Sequence, residues 1–184
     1  MKLPRLSAHL LLLLAFLAAC QGCKPHSAGT NNPATTTPRP EIDPVYGHLT
    51  HVQPKLPTLK VWLGSEEMIT EIAREPLQIA TGMMFRTNMA ENAAMIFVFD
   101  QPGPKNFYMR NCTVPLSAAY IEPDGTIAEI VNLQPGDERG VQSQTSNLQF
   151  VLEVPQGWFQ RHNVTTGAVV RTERGTLLKT FFGR

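Results

Sequence analysis

A single small β-sandwich or partly closed β-barrel with two short helices is the fold this sequence predicts, behind a signal peptide and a disordered linker. Three observations lead there. Residues 59–63, Leu-Lys-Val-Trp-Leu, alternate with the two-residue period of a strand. Residues 94–99 are a solid apolar run of strand length. Pro123-Asp124-Gly125 is a turn signal, Asp offering a side-chain bond and Gly a permissive backbone. Such segments recur without an internal repeat, as in a mainly β domain rather than an alternating α/β one.

The remaining elements follow in order. Gly64-Ser65 supplies a turn, and 68–73 reads as the returning strand. Pro76 suits the first turn of a short helix over 76–81, with Gly82 as its terminator. Residues 106–109 and 116–121 are further strands, and 126–131 completes the hairpin across the Asp124-Gly125 turn. The polar stretch 134–147 contains Gly136 and Gly140 and is expected to be a loop long enough to suggest function. A strand over 148–154, a short helix within 155–162, and strands over 168–172 and 177–182 complete the chain.

Ahead of the domain lie two other segments. Residues 1–19 have the layout of a secretory signal: Lys2 and Arg5, an apolar run over 10–19, and small residues before a cysteine. The run is about half of the ~20 residues a membrane-spanning helix needs. Leu17-Ala18-Ala19-Cys20 resembles the bacterial lipobox, which implies lipid on the Cys20 thiol, cleavage before it and acylation of the new amino terminus. Gln21, rather than Asp, follows Cys20, a pattern that resembles outer-membrane sorting in a Gram-negative cell. The expected location is therefore the cell envelope, on the periplasmic face of that membrane. Residues 20–57 read as a lipidated, disordered tether rich in Pro, Thr, Asn and Ser, with too few apolar side chains to offset the entropy of ordering. His26, His48 and His51 fall in it and are expected to be solvated. The domain proper is 58–184.

Charge narrows the function classes. From residue 59 onward there are 11 basic and 13 acidic residues, which leaves no Lys/Arg excess for nucleic acid. From residue 58 onward the chain contains no HExxH, GxSxG, P-loop, CxxC or GxGxxG motif.

Three segments carry a resemblance. They are Thr81-Gly82-Met83-Met84-Phe85-Arg86; Phe107-Tyr108-Met109-Arg110-Asn111 followed by Pro115-Leu116; and Val151-Leu152-Glu153-Val154 with Gly157-Trp158. With Met95-Ile96-Phe97-Val98-Phe99 and the Asp124-Gly125 turn, they resemble the Domain of Unknown Function 192 family in order and spacing over about 59–170. The resemblance implies a small, mostly β domain, frequently exported, with no agreed activity. Two places depart from the family pattern: Cys112 stands where Thr is usual and Ser117 where Asp is usual. Residues 176–184 extend beyond it.

The candidate contacts are polar residues set at the ends of apolar segments. Arg86, Arg110 and Asn111 could project at the rim of a cleft, Arg with a fixed donor fork and Asn with both donor and acceptor. Tyr108 or Trp158 would serve as an aromatic platform. The competing reading pairs these groups internally, for example with Glu153. The expected function is a non-catalytic module binding a small polar ligand or an envelope protein, with no cofactor, metal or nucleic acid. One alternative is an envelope hydrolase using Glu153, Cys112 or His162. Another is a copper-handling protein using Met68, Met83, Met84, Met89, Met95 and Met109, since thioethers favour Cu(I). Methionine is also a versatile core filler.

Overall fold

The structure, a computed structural model, describes residues 40–184. The signal peptide, Cys20 and the first half of the expected tether lie outside the described residues. Among the described residues no helix is long and apolar enough to cross a membrane.

Seven strands form one sheet: β1 (Thr58–Leu63), β2 (Glu66–Ala73), β3 (Ala93–Gly103), β5 (Leu116–Ile121), β6 (Ile127–Leu133), β8 (Leu148–Pro155) and β9 (Val170–Thr172). Their order is β6-β5-β8-β3-β2-β1-β9. All pairs are antiparallel except β2 with β3, which α1 (Pro76–Thr81) links as a crossover. A small second sheet pairs β4 (Asn106–Phe107) with β7 (Val141–Gln142). Two further helices, α2 (Trp158–Arg161) and α3 (Leu177–Phe182), follow β8 and β9.

The sheet curls until its two edges nearly meet. Thr126 bridges Val169, and the Val170 N–H donates to Gly125 O at 2.9 Å. This is the partly closed barrel of the sequence expectation. Gly125 makes the seam possible: its φ is +94°, and a Cβ there would lie 2.9 Å from Val170 O. The Asp124-Gly125 turn therefore does more than reverse the chain; it lets two edges approach.

Curling separates two apolar faces, because side chains alternate along each strand. The enclosed face takes residues from all seven sheet strands, among them Val61, Met68, Ile96, Ile121, Ile127, Leu152 and Val170. The outer face carries Ala73, Met95, Phe97, Ala118, Tyr120 and Val151, and is covered by loops instead of a second sheet. The central strands β5 and β8 are thus buried on both sides. That explains their high apolar content, interrupted by Ser117 in β5 and by Gln149 and Glu153 in β8.

Three sequence expectations are corrected. Residues 177–182 form α3, not a strand. Their apolar pairs 177/178 and 181/182 recur four apart, a helical spacing. Thr176 Oγ1 accepts the Lys179 N–H at 3.1 Å as N-cap, and Gly183 (φ 72°) closes the C-terminus. Leu177 is fully buried, and Phe181 and Phe182 pack on Phe150 with ring centroids 5.9 and 6.2 Å apart. The loop over 134–147 is interrupted by β7, which pairs with β4.

The described part of the expected tether is not a free leash. Residues 48–56 strap the outer face. The Leu49 N–H donates to Thr81 Oγ1 (3.0 Å), Gln53 Nε2 to Gly82 O (2.7 Å) and the Leu56 N–H to Glu71 Oε2 (2.8 Å). His48, expected in solvent, is buried, its Nδ1 donating to Leu49 O at 2.7 Å. A few well-placed polar contacts and two leucines suffice where composition alone indicated none.

Candidate functional site

The Thr81–Arg86 motif forms one wall of a cavity. Gln78 Oε1 accepts the N–H groups of Arg74 and Glu75, starting α1, and Thr81 Oγ1 donates to Leu77 O as the helix ends. Gly82 (φ 47°) then turns the chain against the Phe97 ring, which would sit 3.2 Å from an added Cβ. Phe85 also has a positive φ, 63°, a costly conformation for a bulky side chain. Its N–H donates to Asn111 O at 2.8 Å, and Asn111 itself has φ 55°. Two left-handed residues thus brace each other and hold Met83 and Met84 over the sheet.

The opposite wall is the segment from β3 to β4 and beyond. Phe97, Phe99 and Phe107 meet edge to face, Phe97 and Phe107 at 4.9 Å and Phe99 and Phe107 at 6.5 Å. Ser143 clamps this arm: Lys105 N–H donates to its Oγ and its N–H to Lys105 O. Between the walls lies a cavity of about 310 Å³, open to solvent. Its lining includes Met83, Met84, Phe97, Phe99, Phe107 and Tyr108, with Lys105, Cys112 and Glu153 among them. That is a mostly apolar hollow with a few polar groups, the general character of a small-molecule site.

Glu153 is the unusual member. It sits on β8 between Met95 of β3 and Ala118 of β5, the residues it faces in register. It is 4% exposed, and among the described residues its carboxyl makes no hydrogen bond; Oε2 is wholly shielded. Burial pushes its pKa up to about 8, against a partial pull from the Arg86 charge. At neutral pH it is chiefly a neutral acid, able to donate one hydrogen bond.

Lys105 is the second. Also largely buried, it has no carboxylate partner among the described residues. Its Nζ donates to Gly103 O at 3.0 Å and lies 4.3 Å from the Phe99 ring centroid. Burial lowers its pKa. Cys112 behaves oppositely to a nucleophile, since burial, aided by the Glu153 charge, raises its thiol to about 12. Folded protein at pH 8 is therefore expected to resist iodoacetamide at Cys112, and urea-unfolded protein to react; mass spectrometry of the adduct checks this.

The structure brings only Tyr108, of the five predicted contacts, to this cavity. Burial raises the Tyr108 phenol pKa, partly offset by the Arg110 charge. Arg86 lines a neighbouring groove and pairs with Glu71, not Glu153, through two bonds of 2.6 and 2.8 Å. Burial alone would raise the Glu71 carboxyl; these bonds and the Leu56 N–H outweigh it and hold it below its ordinary value. Arg110 bonds Glu138 Oε2 and stacks 3.6 Å from the Tyr46 ring centroid. Asn111 acts through its backbone carbonyl, and Trp158 is buried in the enclosed core.

Cys112 and Glu153 share the cavity, but His162 does not. It lines another hollow, stacks on Trp158 at 4.3 Å and contacts Glu66 (3.0 Å) and Glu91 (3.3 Å). Met68 lies in the enclosed core while Met83, Met84, Met95 and Met109 lie on the outer face. Among the described residues no group of three or more His, Cys, Asp or Glu could hold a metal ion. Ser117, where the family pattern has Asp, donates to Asn132 Oδ1 (2.7 Å) and accepts the Gly157 N–H (2.9 Å). It ties β5 to β6 and to the entry of α2, away from the cavity.

Sequence reasoning missed Lys105, Glu71 and the strap. Glu153 left a signal: a lone carboxylate inside the run Phe150-Val151-Leu152-Glu153-Val154. Lys105 left none, since nothing local distinguishes a buried lysine from a solvated one.

The family model for DUF192, described as Uncharacterized ACR, COG1430, matches residues 60–172. The chain belongs to this family. The match contains the cavity walls and ends before α3. Two solved structures share the DUF192 chain's fold. One is the Sinorhizobium meliloti 1021 protein described as a "putative transcription regulator (R01717)", with TM-score 0.62 and 29% identity, covering 66% of this chain and 98% of that one. The other is a protein of unknown function from Novosphingobium aromaticivorans DSM 12444, with TM-score 0.59 and 28% identity, covering 73% and 94%. No curated protein matches the chain.

Proposed function

We propose that this DUF192 protein is a lipid-anchored envelope protein whose domain binds a small ligand with an apolar body and a polar head. One observation carries the binding reading: a shielded carboxyl at Glu153, without a hydrogen-bond partner among the described residues, lining a solvent-open hollow of aromatic and methionine side chains. A buried polar group without a partner costs roughly 1–3 kcal/mol in stability. A ligand head that bonds it from the cavity would recover that cost. The ring faces and thioethers take the apolar body, and Glu153 meets the head. Among the described residues no acid–base–nucleophile set lines the cavity, the Cys112 thiol pKa being too high and His162 lying elsewhere, so binding is favoured over hydrolysis. Binding nucleic acid fits poorly with 11 basic against 13 acidic residues from residue 59 onward.

The test is ligand-observed NMR of the full-length chain with small ring and branched-chain compounds, beside an Ala80→Phe variant that fills the cavity, Ala80 of α1 being part of its wall. Binders lost in the filled variant support the reading. Binders indifferent to it, or none at all, overturn it. The anchor has its own check. Mass spectrometry of the mature protein should find Cys20 as the amino-terminal residue, carrying acyl groups; a mature chain with an unmodified Cys20 thiol would refute lipidation there.

A further inference from the structure

We propose that Lys105 is a carbonyl-capturing amine: the cavity admits small apolar aldehydes, which condense with the Lys105 side chain to an imine. This goes beyond the binding reading above and gives Glu153 no part in the step. The placement of Lys105 carries it. The Ser143 N–H donates to Lys105 O and the Lys105 N–H to Ser143 Oγ, so the extended pairing of β4 with β7 continues through Lys105. Side chains alternate along such a ribbon, and Lys105 and Phe107 therefore leave it on the same face. On that face Phe107 meets Phe97 and Phe99 in the cavity wall, and Lys105 Nζ lies 4.3 Å from the Phe99 ring centroid. The amine stands against the ring-lined wall of the hollow.

Its surroundings suit a nucleophile better than a structural cation. An ammonium carries three N–H donors. Among the described residues Lys105 Nζ finds one acceptor, Gly103 O at 3.0 Å, and no carboxylate, although the residue is only 7% exposed. Burial with so few partners favours the neutral amine and lowers the Lys105 pKa. The neutral amine is the nucleophilic form, and desolvation in an apolar pocket is one way lysines are activated toward carbonyl compounds. The other titratable groups lining the cavity are Tyr108, Cys112 and Glu153. Cys112, the rival nucleophile, stays a thiol at neutral pH because burial raises its pKa to about 12.

The step balances without a further reactant. The Nζ lone pair forms a bond to the carbonyl carbon. Both amine protons leave with the carbonyl oxygen as water, and C=N replaces C=O. Phe97, Phe107, Met83 and Met84 hold a ring or branched chain beside the amine, which raises its effective concentration there. A cavity of about 310 Å³ is at the small end for ligand sites and favours a compact aldehyde over a long-chain one.

The full-length chain is treated at pH 7 with benzaldehyde and cyanoborohydride, which reduces an imine to a stable N-benzyl amine, and peptide mass spectrometry maps the labelled lysines. Lys60 is the internal reference: it is exposed, and the hydrogen bond and charge of Glu67, 2.7 Å away, raise its pKa. Lys105 should be labelled about tenfold faster than Lys60, or more. Benzyl alcohol, of the same size but without a carbonyl, should protect Lys105 and not Lys60. Ala80→Phe should silence Lys105 and leave Lys60 labelled. Circular dichroism verifies that this variant folds; if it does not, protection by benzyl alcohol decides alone. Labelling of Lys105 no faster than that of Lys60 overturns the proposal. Fast labelling that ignores benzyl alcohol or the filled cavity also overturns it, because the reaction then lies outside the cavity. In either case, benzyl alcohol seen by NMR to bind the parent and not Ala80→Phe leaves the binding reading standing. Absence of any ligand binding, together with slow labelling, overturns both.

Discussion

Replacing Glu153 with glutamine should stabilise the protein at pH 8 and hardly at all at pH 4.5. The sign follows from proton linkage. Burial raises the folded carboxyl to about 8 from an ordinary 4.5, so the folded state holds the proton more tightly than the unfolded state does. The stability this contributes is complete below pH 4.5 and is lost as pH climbs toward 8. The loss runs at about 1.4 kcal/mol per pH unit, on the order of 5 kcal/mol across the window. Glutamine has nearly the same shape and no proton to release, so the variant lacks this slope. Other carboxyls work in the opposite direction. Glu71 and Asp137 lie below their ordinary values, Glu71 through Arg86 despite burial and Asp137 through Arg139, and both lose stabilisation in acid. The diagnostic quantity is therefore the difference between variant and parent in urea midpoints from pH 4.5 to 8. A flat difference would show that Glu153 does not titrate in this window.

Arg86→Met should destabilise the domain by about 3–5 kcal/mol, more than most single changes. Arg86 and Glu71 are 17% and 12% exposed and share two hydrogen bonds, so removing the cation strands a largely buried carboxylate. That carboxylate also anchors the strap through the Leu56 N–H. Arg86→Met combined with Glu71→Leu should recover much of the loss, because no charge is then left unpaired. A double-mutant cycle by chemical denaturation measures the coupling; additive losses would show that the two side chains act independently. The single change should also raise the Glu153 pKa further, since the Arg86 charge is the force holding it down.

Much of the fold was legible because alternation and turn chemistry are local. The strand at 59–63, the hairpin at Asp124-Gly125 and the proline-initiated helix at 76–81 each follow from a few neighbouring residues. The misreading at 177–182 has a local cause as well: the Thr176 cap and the four-residue spacing were present but counted as strand. The site was less legible. Rim arginines look free in a sequence because their partners, Glu71 for Arg86 and Glu138 for Arg110, lie 15 and 28 residues away. Trp158 looked like a platform until the curl of the sheet enclosed it.

By itself the sequence determined a mainly β chain with a lipobox-like N-terminus, the family to which it belongs, and the absence of a basic surplus. Those properties depend on residue type and short-range spacing. Tertiary structure alone decided which face of β8 stays open to a cavity, and so whether Glu153 is a surface charge or a buried neutral acid. It also brought Lys105, from the arm after β3, to line that hollow. Burial is the physical reason: a carboxyl's proton affinity depends on what surrounds it in space, and for Glu153 those surroundings come from β3, β5 and the Thr81–Arg86 turn, all distant along the chain.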